Sequence, residues 1–261
     1  MSRILVLDPY QDEDSLIHRQ DPRVKLAVSL AMIVAITALP AGAWVSYLCC
    51  LTSIAVIVGL SRVQPVIILR RSLVAIPFAL VAFTLIFTVE GTPLTSVQLG
   101  PWIVTATTEG AIDFISILIK AWLSVLVATL LVTTTKFPGV VAAMRSLRVP
   151  KVIVSVVSFM YRYIFVIADE ALRLHRAREA RSANPRGESV GSIGWRAKVL
   201  GGMIGSLFLR SYERSERIYS AMLSRGFDGE LRTLREHKLG TRDVLIIGAF
   251  AVYLVVLVTL S

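Results

Sequence analysis

Long apolar runs, broken only by short polar or basic segments, are the feature that most constrains this sequence. Of its 261 residues, 55% are hydrophobic, and the mean hydropathy is +0.69. A soluble domain of this length is less apolar, so the chain is predicted to be an all-α polytopic membrane protein. Since about 20 apolar residues span the hydrocarbon core, we expect about five transmembrane helices. The predicted spans are 24–39, 44–60, 72–89, 111–134 and 244–260.

The charges between the apolar runs predict the orientation of the chain. Segment 62–71 carries three arginines and is expected to be a cytoplasmic loop, because basic residues mark that side. Segment 90–110 has no Lys or Arg and is expected outside, as a loop with a short hairpin. Asp21 and Pro22 suit the N-cap and the first turn of the first helix. We therefore predict a multi-pass protein of the cell inner (plasma) membrane, with its N-terminus inside and its C-terminus outside.

A basic block lies between the fourth and last predicted spans. The formal net charge is +10, and sixteen of the 28 Lys and Arg residues lie in segment 162–242. Such a block indicates nucleic acid, anionic lipid or an acidic protein partner. Nucleic acid is the weakest of these interpretations for an integral membrane protein. The positive-inside rule predicts that the block is cytoplasmic.

Segment 152–168 is apolar enough to cross the membrane, but a crossing there would place the basic block outside. We therefore predict that it does not cross and forms the first half of one long helix, 151–182, at the cytoplasmic surface. A second long helix is predicted over 195–225, after the break at Asn184–Pro185. The predicted organisation is a cytoplasmic tail (1–20), a transmembrane part with four helices (21–135), a cytoplasmic coupling domain (136–240) and a C-terminal transmembrane helix (241–261).

The second long helix carries a stripe of small residues. Ala197, Gly201 and Gly205 recur at every fourth position. Small residues at this spacing allow two helices to approach closely. The stripe therefore predicts that the two long helices cross there.

Both long helices are predicted to end in an arginine flanked by small residues. The two motifs consist of Ala180, Arg181 and Ser182, and of Ser224, Arg225 and Gly226. Alone, either motif is explained by an arginine that offsets the helix dipole, with Gly226 as a C-terminal cap. Together they favour a partner with two copies of one groove, because an arginine fork binds a carboxylate bidentately.

Four further residues belong to this predicted contact. Phe227 is large enough to anchor the second motif by burial. Arg178 lies one helical turn before the first motif and is an alternative to Arg181. Arg217 and Met222 are assigned a supporting role.

Three segments carry a resemblance to a known family. They read DPRVKL (21–26), FMYRYIFVIADEA (159–171) and ERSERIYSAMLSRGFDGE (213–230). Over about residues 21–235 the chain resembles the T component of energy-coupling factor (ECF) transporters, most closely the cobalt-type CbiQ family. That family has paired Ala-Arg-Gly-like motifs at the ends of two coupling helices. This chain departs from the pattern at Ser182, where Gly is usual, and at Ser224, where Ala is usual.

The resemblance implies a transmembrane coupling subunit of an ECF-type ABC importer. Its implied partners are two ATP-binding, CbiO-like ATPase subunits, a substrate-binding CbiM-like membrane subunit and a small CbiN-like subunit. The implied substrate is cobalt or nickel, with a vitamin-type ECF importer as the alternative. These assignments come from the resemblance, because the residue composition and spacing do not show them.

The motif content predicts a chain that is not an enzyme. There is no G-x-x-x-x-G-K-[ST] loop, no hydrolase motif and no metal-ligand spacing, so no metal site or cofactor is predicted and ATP hydrolysis is expected in a partner. Lys120, inside the fourth span, is a functional candidate by default, although it can also snorkel or pair with Asp113 or Glu90. It leaves open a membrane-embedded enzyme that acts on an anionic lipid. A self-sufficient channel is the third alternative.

Overall fold

The computed structural model describes residues 15, 17–73, 77, 82–89, 92–99, 102–181, 192–229 and 240–259. In these ranges the chain is all-α apart from one hairpin, which confirms the predicted fold class. The helices are α1 (Pro22–Ala38), α2 (Trp44–Ser61), α3 (Pro65–Ser72), α4 (Leu85–Thr88), α5 (Thr108–Thr134), α6 (Phe137–Ser146), α7 (Lys151–Arg181), α8 (Ile193–Leu223) and α9 (Thr241–Thr259). The hairpin pairs β1 (Pro93–Leu99) with β2 (Trp102–Thr107), antiparallel, with Val97 opposite Val104.

Three of the described helices are long and apolar enough to cross a membrane, judged by length and composition. They are α2, α5 and α7. Helices α1 and α9 lie on the first and last predicted spans but are not in this group. Most of the third predicted span, 72–89, falls outside the described residues. The five-span topology, including the prediction that segment 152–168 does not cross, therefore stays a prediction.

Segment 62–71, expected to be a loop, is mostly helical. Helix α3 begins at Pro65. Proline has no backbone N–H, but the N–H at the first helical position has no intrahelical acceptor, so no hydrogen bond is lost there. It carries Arg70 and Arg71 in its last turn, where positive charge opposes the negative end of the helix dipole. The charge of the segment indicates its side of the membrane, whereas its proline start is the signal that could have indicated this helix.

The chain divides into two compact units. The membrane unit lies within Pro9–Ala143 and His237–Ser261, and the crossed-helix unit lies within Met144–Glu236. In the membrane unit, Ile36 of α1, Cys50 of α2, Leu123 of α5 and Leu257 of α9 belong to one buried cluster. Because lipid is as apolar as these side chains, close packing and polar contacts, not the hydrophobic effect, hold such helices together.

Two lysines join α1 and α5 in an antiparallel arrangement. The Lys25 ammonium, near the start of α1, donates a hydrogen bond of 2.9 Å to the carbonyl of Thr134, at the end of α5. The Lys120 ammonium of α5 donates to the carbonyl of Leu39, at the end of α1. Lys25 precedes Leu39 by fourteen positions, and Lys120 precedes Thr134 by fourteen. The two bonds are therefore about 21 Å apart on either helix.

This arrangement gives Lys120 a structural partner, the Leu39 carbonyl, that differs from those predicted. The last carbonyls of a helix have no intrahelical donor, and an unsatisfied carbonyl is expensive in an apolar surrounding. Lys120 supplies that donor and forms no ion pair with Asp113 among the described residues. The proposed partner Glu90 lies outside those residues. The position of Lys120 inside a predicted span, which left room for a lipid-modifying enzyme, thus has a structural explanation.

The DPRVKL segment is fixed at three points inside the membrane unit. The Asp21 carboxylate accepts the Arg23 N–H at 2.9 Å, which confirms the predicted N-cap. A Cβ added to Gly139 would come within 3.0 Å of the Pro22 ring. The Lys25 bond to Thr134 and the Pro22–Gly139 contact seat the start of α1 against the α5–α6 junction. The segment that carried part of the family resemblance is therefore a packing motif.

Two hydrogen bonds hold α2 to α9 within the membrane unit. The Ser53 hydroxyl donates to the Tyr253 hydroxyl at 2.9 Å, and Tyr253 donates to the carbonyl of Cys49 at 3.1 Å. The α1–α2 turn is held in a similar way, because Gly42 N–H donates to the Ser116 hydroxyl of α5 at 3.0 Å. Each contact gives a polar group a hydrogen-bond partner that lipid could not supply.

Replacing Lys25 by methionine tests the lysine bond to α5. Lys25 is 8% exposed, so Lys25→Met keeps most of the side-chain length and removes only the donor. We expect a loss of about 1–3 kcal/mol in stability, because a buried carbonyl is left without a partner. Thermal unfolding of the purified chain in detergent, followed by circular dichroism, measures it.

The matched control is Arg23→Met, which removes the same charge two positions earlier from a half-buried residue whose backbone N–H, not its side chain, bonds Asp21. The control should unfold close to the wild-type temperature. Equal unfolding temperatures for Lys25→Met and the wild type would contradict the structural role of the bond.

Candidate functional site: two arginine helix ends

Both long helices of the sequence analysis are present in the crossed-helix unit. Helix α7 ends at Arg181, and α8 begins at Ile193. The Ser192 hydroxyl caps α8 by accepting the Trp195 N–H at 3.3 Å. The arginines of α7 are concentrated in its second half, and those of α8 are spread along the helix beside apolar residues.

The two helices run in opposite directions where they meet. Phe227, just after α8, packs edge-on against Phe159 near the start of α7, with 6.2 Å between ring centroids. The Ser155 hydroxyl donates to the carbonyl of Gly229 at 2.9 Å. Further along α7, Glu170 pairs with Arg210 of α8 at 2.8 Å. The end of α8 therefore lies beside the start of α7.

The crossing uses a different face of α8 from the one predicted. Leu207, Ser211, Ser215, Ile218 and Met222 of α8 line a groove against α7. Ala197 is exposed, and a Cβ added to Gly201 or Gly205 would meet no described atom within 4 Å. The small-residue stripe thus does not form the crossing in this chain. The face that does form the crossing carries larger side chains, and these keep α7 and α8 further apart than a small-residue crossing would.

The second arginine motif forms a closed turn at the end of α8. The Phe227 N–H donates to the carbonyl of Met222 at 3.0 Å, and the Gly226 N–H donates to that of Leu223 at 3.0 Å. These two bonds define a Schellman motif, and the φ of +78° at Gly226 is the left-handed conformation that it requires. The predicted cap at Gly226 is therefore confirmed. It holds the exposed Arg225 at the corner of the turn.

The neighbours of Arg225 are placed differently from one another. Ser224 is exposed, and its hydroxyl bonds back to the carbonyl of Ser220 at 3.0 Å. Arg217 is also exposed, about two turns before the motif. Phe227 is half-buried against Phe159, so its ring supports the turn from inside the chain. Its prediction as an anchor in a partner remains untested, and the structure gives it an internal contact.

The first arginine motif lies at the last residues of α7. Ala180 and Arg181 are exposed, and Arg181 is the last helical residue. Ser182 lies outside the described residues. Arg178 is half-buried and already interacts with another group of the chain. Of the two arginines that the sequence offered here, Arg181 is the one more exposed to a partner.

Sequence reasoning missed the ion pair that joins the helices. Glu170 lies in the FMYRYIFVIADEA segment, which drew attention as a family signature and not as a contact. Its partner is forty positions away on the next helix. Two adjacent acids and many arginines offer numerous pairings, and only the crossing geometry selects this one.

The chemistry available at the two helix ends is recognition of anionic groups. Arg181 and Arg225 each present an exposed guanidinium, which can bind a carboxylate through two parallel hydrogen bonds. Within the described ranges, no three His, Cys, Asp or Glu side chains are grouped closely enough to hold a metal ion. The two exposed guanidinium groups are thus the chemistry that the helix ends offer to another molecule.

Comparisons with known proteins show which family this chain resembles. The family model for CbiQ, described as a cobalt transport protein, matches residues 13–235. The energy-coupling factor transporter transmembrane protein EcfT of Lactococcus lactis is 29% identical over 98% of both chains. The cobalt transport protein CbiQ of Rhodobacter capsulatus is 24% identical over 57% of this chain and 58% of its own length.

An uncharacterized protein of Methanocaldococcus jannaschii is 31% identical over 80% of this chain and 67% of its own length. The EcfT similarity extends through both units, whereas the CbiQ family match ends near the last predicted span. The match to the family model covers most of the chain. The protein therefore belongs to the CbiQ family, and with EcfT it is a transmembrane T component of the energy-coupling factor transporters.

Proposed function

We propose that this chain transmits ATP-driven motion from two ATPase subunits to a separate substrate-binding membrane subunit. The observation that carries the proposal is the placement of two exposed arginines, Arg181 and Arg225, at the ends of two helices that cross in opposite directions. Opposed ends suit a partner that offers the same groove twice. An ATPase dimer with twofold symmetry is such a partner.

Each arginine would bind a carboxylate in one ATPase groove. The small residues Ala180, Ser182, Ser224 and Gly226 would let each helix end enter a narrow cleft. Arg217 and Met222 would support the second contact, Met222 through the carbonyl that accepts the Phe227 N–H. Arg178 would contribute less, because it is half-buried and already interacts with another group of the chain. Closure of the ATPase pair would then displace both helix ends together.

We infer that the transported substrate is cobalt, with nickel as the related choice. The CbiQ family match supports this inference, and the nearly full-length similarity to EcfT keeps a vitamin-type importer as the alternative. The implied partners are a CbiO-like ATPase, a CbiM-like substrate-binding membrane subunit and a small CbiN-like subunit. Catalysis of ATP hydrolysis would belong to the ATPase, and this chain would remain non-catalytic.

Reversing both arginines tests the coupling contacts. Arg181→Glu with Arg225→Glu should weaken ATPase attachment on the order of a hundredfold or more, because each attractive pair becomes a repulsion. Transport should be lost while the amount of chain in the membrane stays normal. Co-purification of the ATPase and uptake by cells measure the two effects.

The control for this experiment is Arg176→Glu, a reversal at an exposed arginine five positions before Arg181 on the same helix. It should bind the ATPase as the wild type does. Normal attachment and uptake by the double variant would refute the role of the two arginines. Single reversals at Arg178 and Arg181 would show which arginine serves the first contact.

The partners can be identified by purifying the tagged chain from its native membrane, followed by mass spectrometry. We expect an ATPase and a CbiM-like membrane protein. A vitamin-binding membrane subunit in its place would overturn the cobalt assignment and leave the coupling role intact. Recovery of the chain without any ATPase would overturn the coupling role itself.

The cytoplasmic location of the crossed-helix unit is tested by labelling a new cysteine. Ala197→Cys places a thiol on an exposed position of α8, in a background where the free Cys49 and Cys50 are replaced by serine. A membrane-impermeant maleimide should react in inverted vesicles and not in intact cells. Reaction in intact cells would place this unit outside and contradict the five-span topology.

A further inference from the structure

The crossing of α7 and α8 is incompletely packed. Between the two helices lies a groove of about 370 Å³, lined on the α7 side by Val156, Met160 and Ile167 among other apolar residues. Helix pairs normally set their crossing angle by fitting the side-chain ridges of one helix into the grooves of the other. A gap of this size removes part of that restraint. Another contact must therefore contribute to the angle.

The Glu170–Arg210 pair closes one end of this groove. Glu170 Oε1 accepts from Arg210 Nη1 of α8 at 2.8 Å, and Oε2 forms an ion pair with Arg173 Nη2 of its own helix at 3.2 Å. Both carboxylate oxygens are therefore occupied. The Glu170 side chain is only 18% exposed, although both arginines are more than half exposed. Partial burial of the Glu170 carboxylate reduces the solvent screening of its charge. The contact with Arg210 therefore depends on the direction from which the guanidinium approaches.

The pair lies between the two arginine ends. From Glu170, α7 continues eleven residues to Arg181, which is about 16 Å of helix. From Arg210, the chain continues fifteen residues to Arg225, or about 22 Å if helical throughout. Because the helices are antiparallel at their contact, these two arms leave it in opposite directions. A change of angle at the pair is thus magnified at both ends.

We propose that the Glu170–Arg210 ion pair is a positioning contact that fixes the angle between α7 and α8, so that the two arginine ends move as one body. The functional consequence rests on the proposed coupling role, whereas the structural claim does not. Arg210 and Glu170 touch neither ATP nor substrate in this scheme. They act by preventing the helices from turning about the open groove.

Loss of the pair should uncouple the two helices without unfolding them. An ion pair with one partner exposed contributes little to overall stability. The Phe159–Phe227 and Ser155–Gly229 contacts would remain at the other end of the groove. The ATPase would still bind both arginine ends and hydrolyse ATP. The motion of the ATPase would then change the crossing angle between α7 and α8. Only part of that motion would reach the substrate-binding subunit.

The structural claim is tested by distance measurements on the purified full chain in lipid nanodiscs. Ala177→Cys on α7 and Ser220→Cys on α8 are exposed sites for spin labels, with Cys49 and Cys50 replaced by serine. Double electron–electron resonance should give one narrow distance distribution for this chain. Arg210→Met, which keeps side-chain length and removes the charge, should broaden or shift it. Arg210→Lys, which keeps the charge, should restore it.

The matched control is Arg214→Met, one turn further along α8. Arg214 lines the same groove, is half-buried and has no ion pair among the described residues, so its variant should match the parent. If Arg210→Met fails to fold by circular dichroism, Glu170→Gln takes its place, because it keeps the shape of the side chain and removes its charge. An unchanged distribution in the folded variant would overturn the proposal, as would equal broadening by Arg214→Met.

The functional consequence is tested in the complex reconstituted with its co-purifying partners. Arg210→Met should retain ATPase attachment and ATP hydrolysis but lower uptake of radioactive Co²⁺ about tenfold. If the wild type transports Co²⁺, the uncoupling would be overturned by an Arg210→Met variant that takes up Co²⁺ at the wild-type rate. Loss of ATPase attachment in that variant would overturn it as well. If the wild-type chain binds no ATPase, the proposed function fails, and the distance measurement still decides the structural claim.

Discussion

Unsatisfied carbonyls at helix ends impose the constraint on which the membrane unit depends. Lipid offers them no donor, so a partner must come from the protein. Lys25 and Lys120 supply that partner reciprocally, each from one helix to the end of the other. Since the two lysines lie equally far from the carbonyls of their own helices, one register satisfies both. A slip of α1 along α5 would break both bonds together.

The crossed-helix unit is held by a different balance of forces. Its contacts are concentrated at two places, around Phe159 and at Glu170, with an open apolar groove between them. Packed cores have few stable arrangements, whereas a crossing with a gap can adopt neighbouring angles at small cost. Such a unit suits the transmission of motion, provided that a directional contact limits the angles. The ion pair at Glu170 has the position and geometry for that task.

Much of the local structure could be predicted because it depends on neighbouring residues. The Asp21 cap, both long helices and the cap at Gly226 follow from residue types at fixed spacings. The crossing face and the Lys120 bond could not, because they pair residues from different helices. Periodicity shows that a helix has an apolar face or a small-residue stripe, but it does not show which face meets a neighbour. The stripe at Gly201 and Gly205 is the clearest example, since a feature that permits a close crossing does not require one.

Of the two departures from the family motif, Ser224 is the one that lies within the described residues. Ser224 has φ −62° and ψ −20°, an ordinary right-handed conformation, and its side chain is exposed. Serine and alanine both fit there, so this departure leaves the turn unchanged. At Gly226, by contrast, the positive φ would strain any residue that has a side chain. The Schellman bonds that hold Arg225 at the corner depend on that conformation. The second motif therefore keeps the residue that its geometry requires and varies where the geometry is permissive.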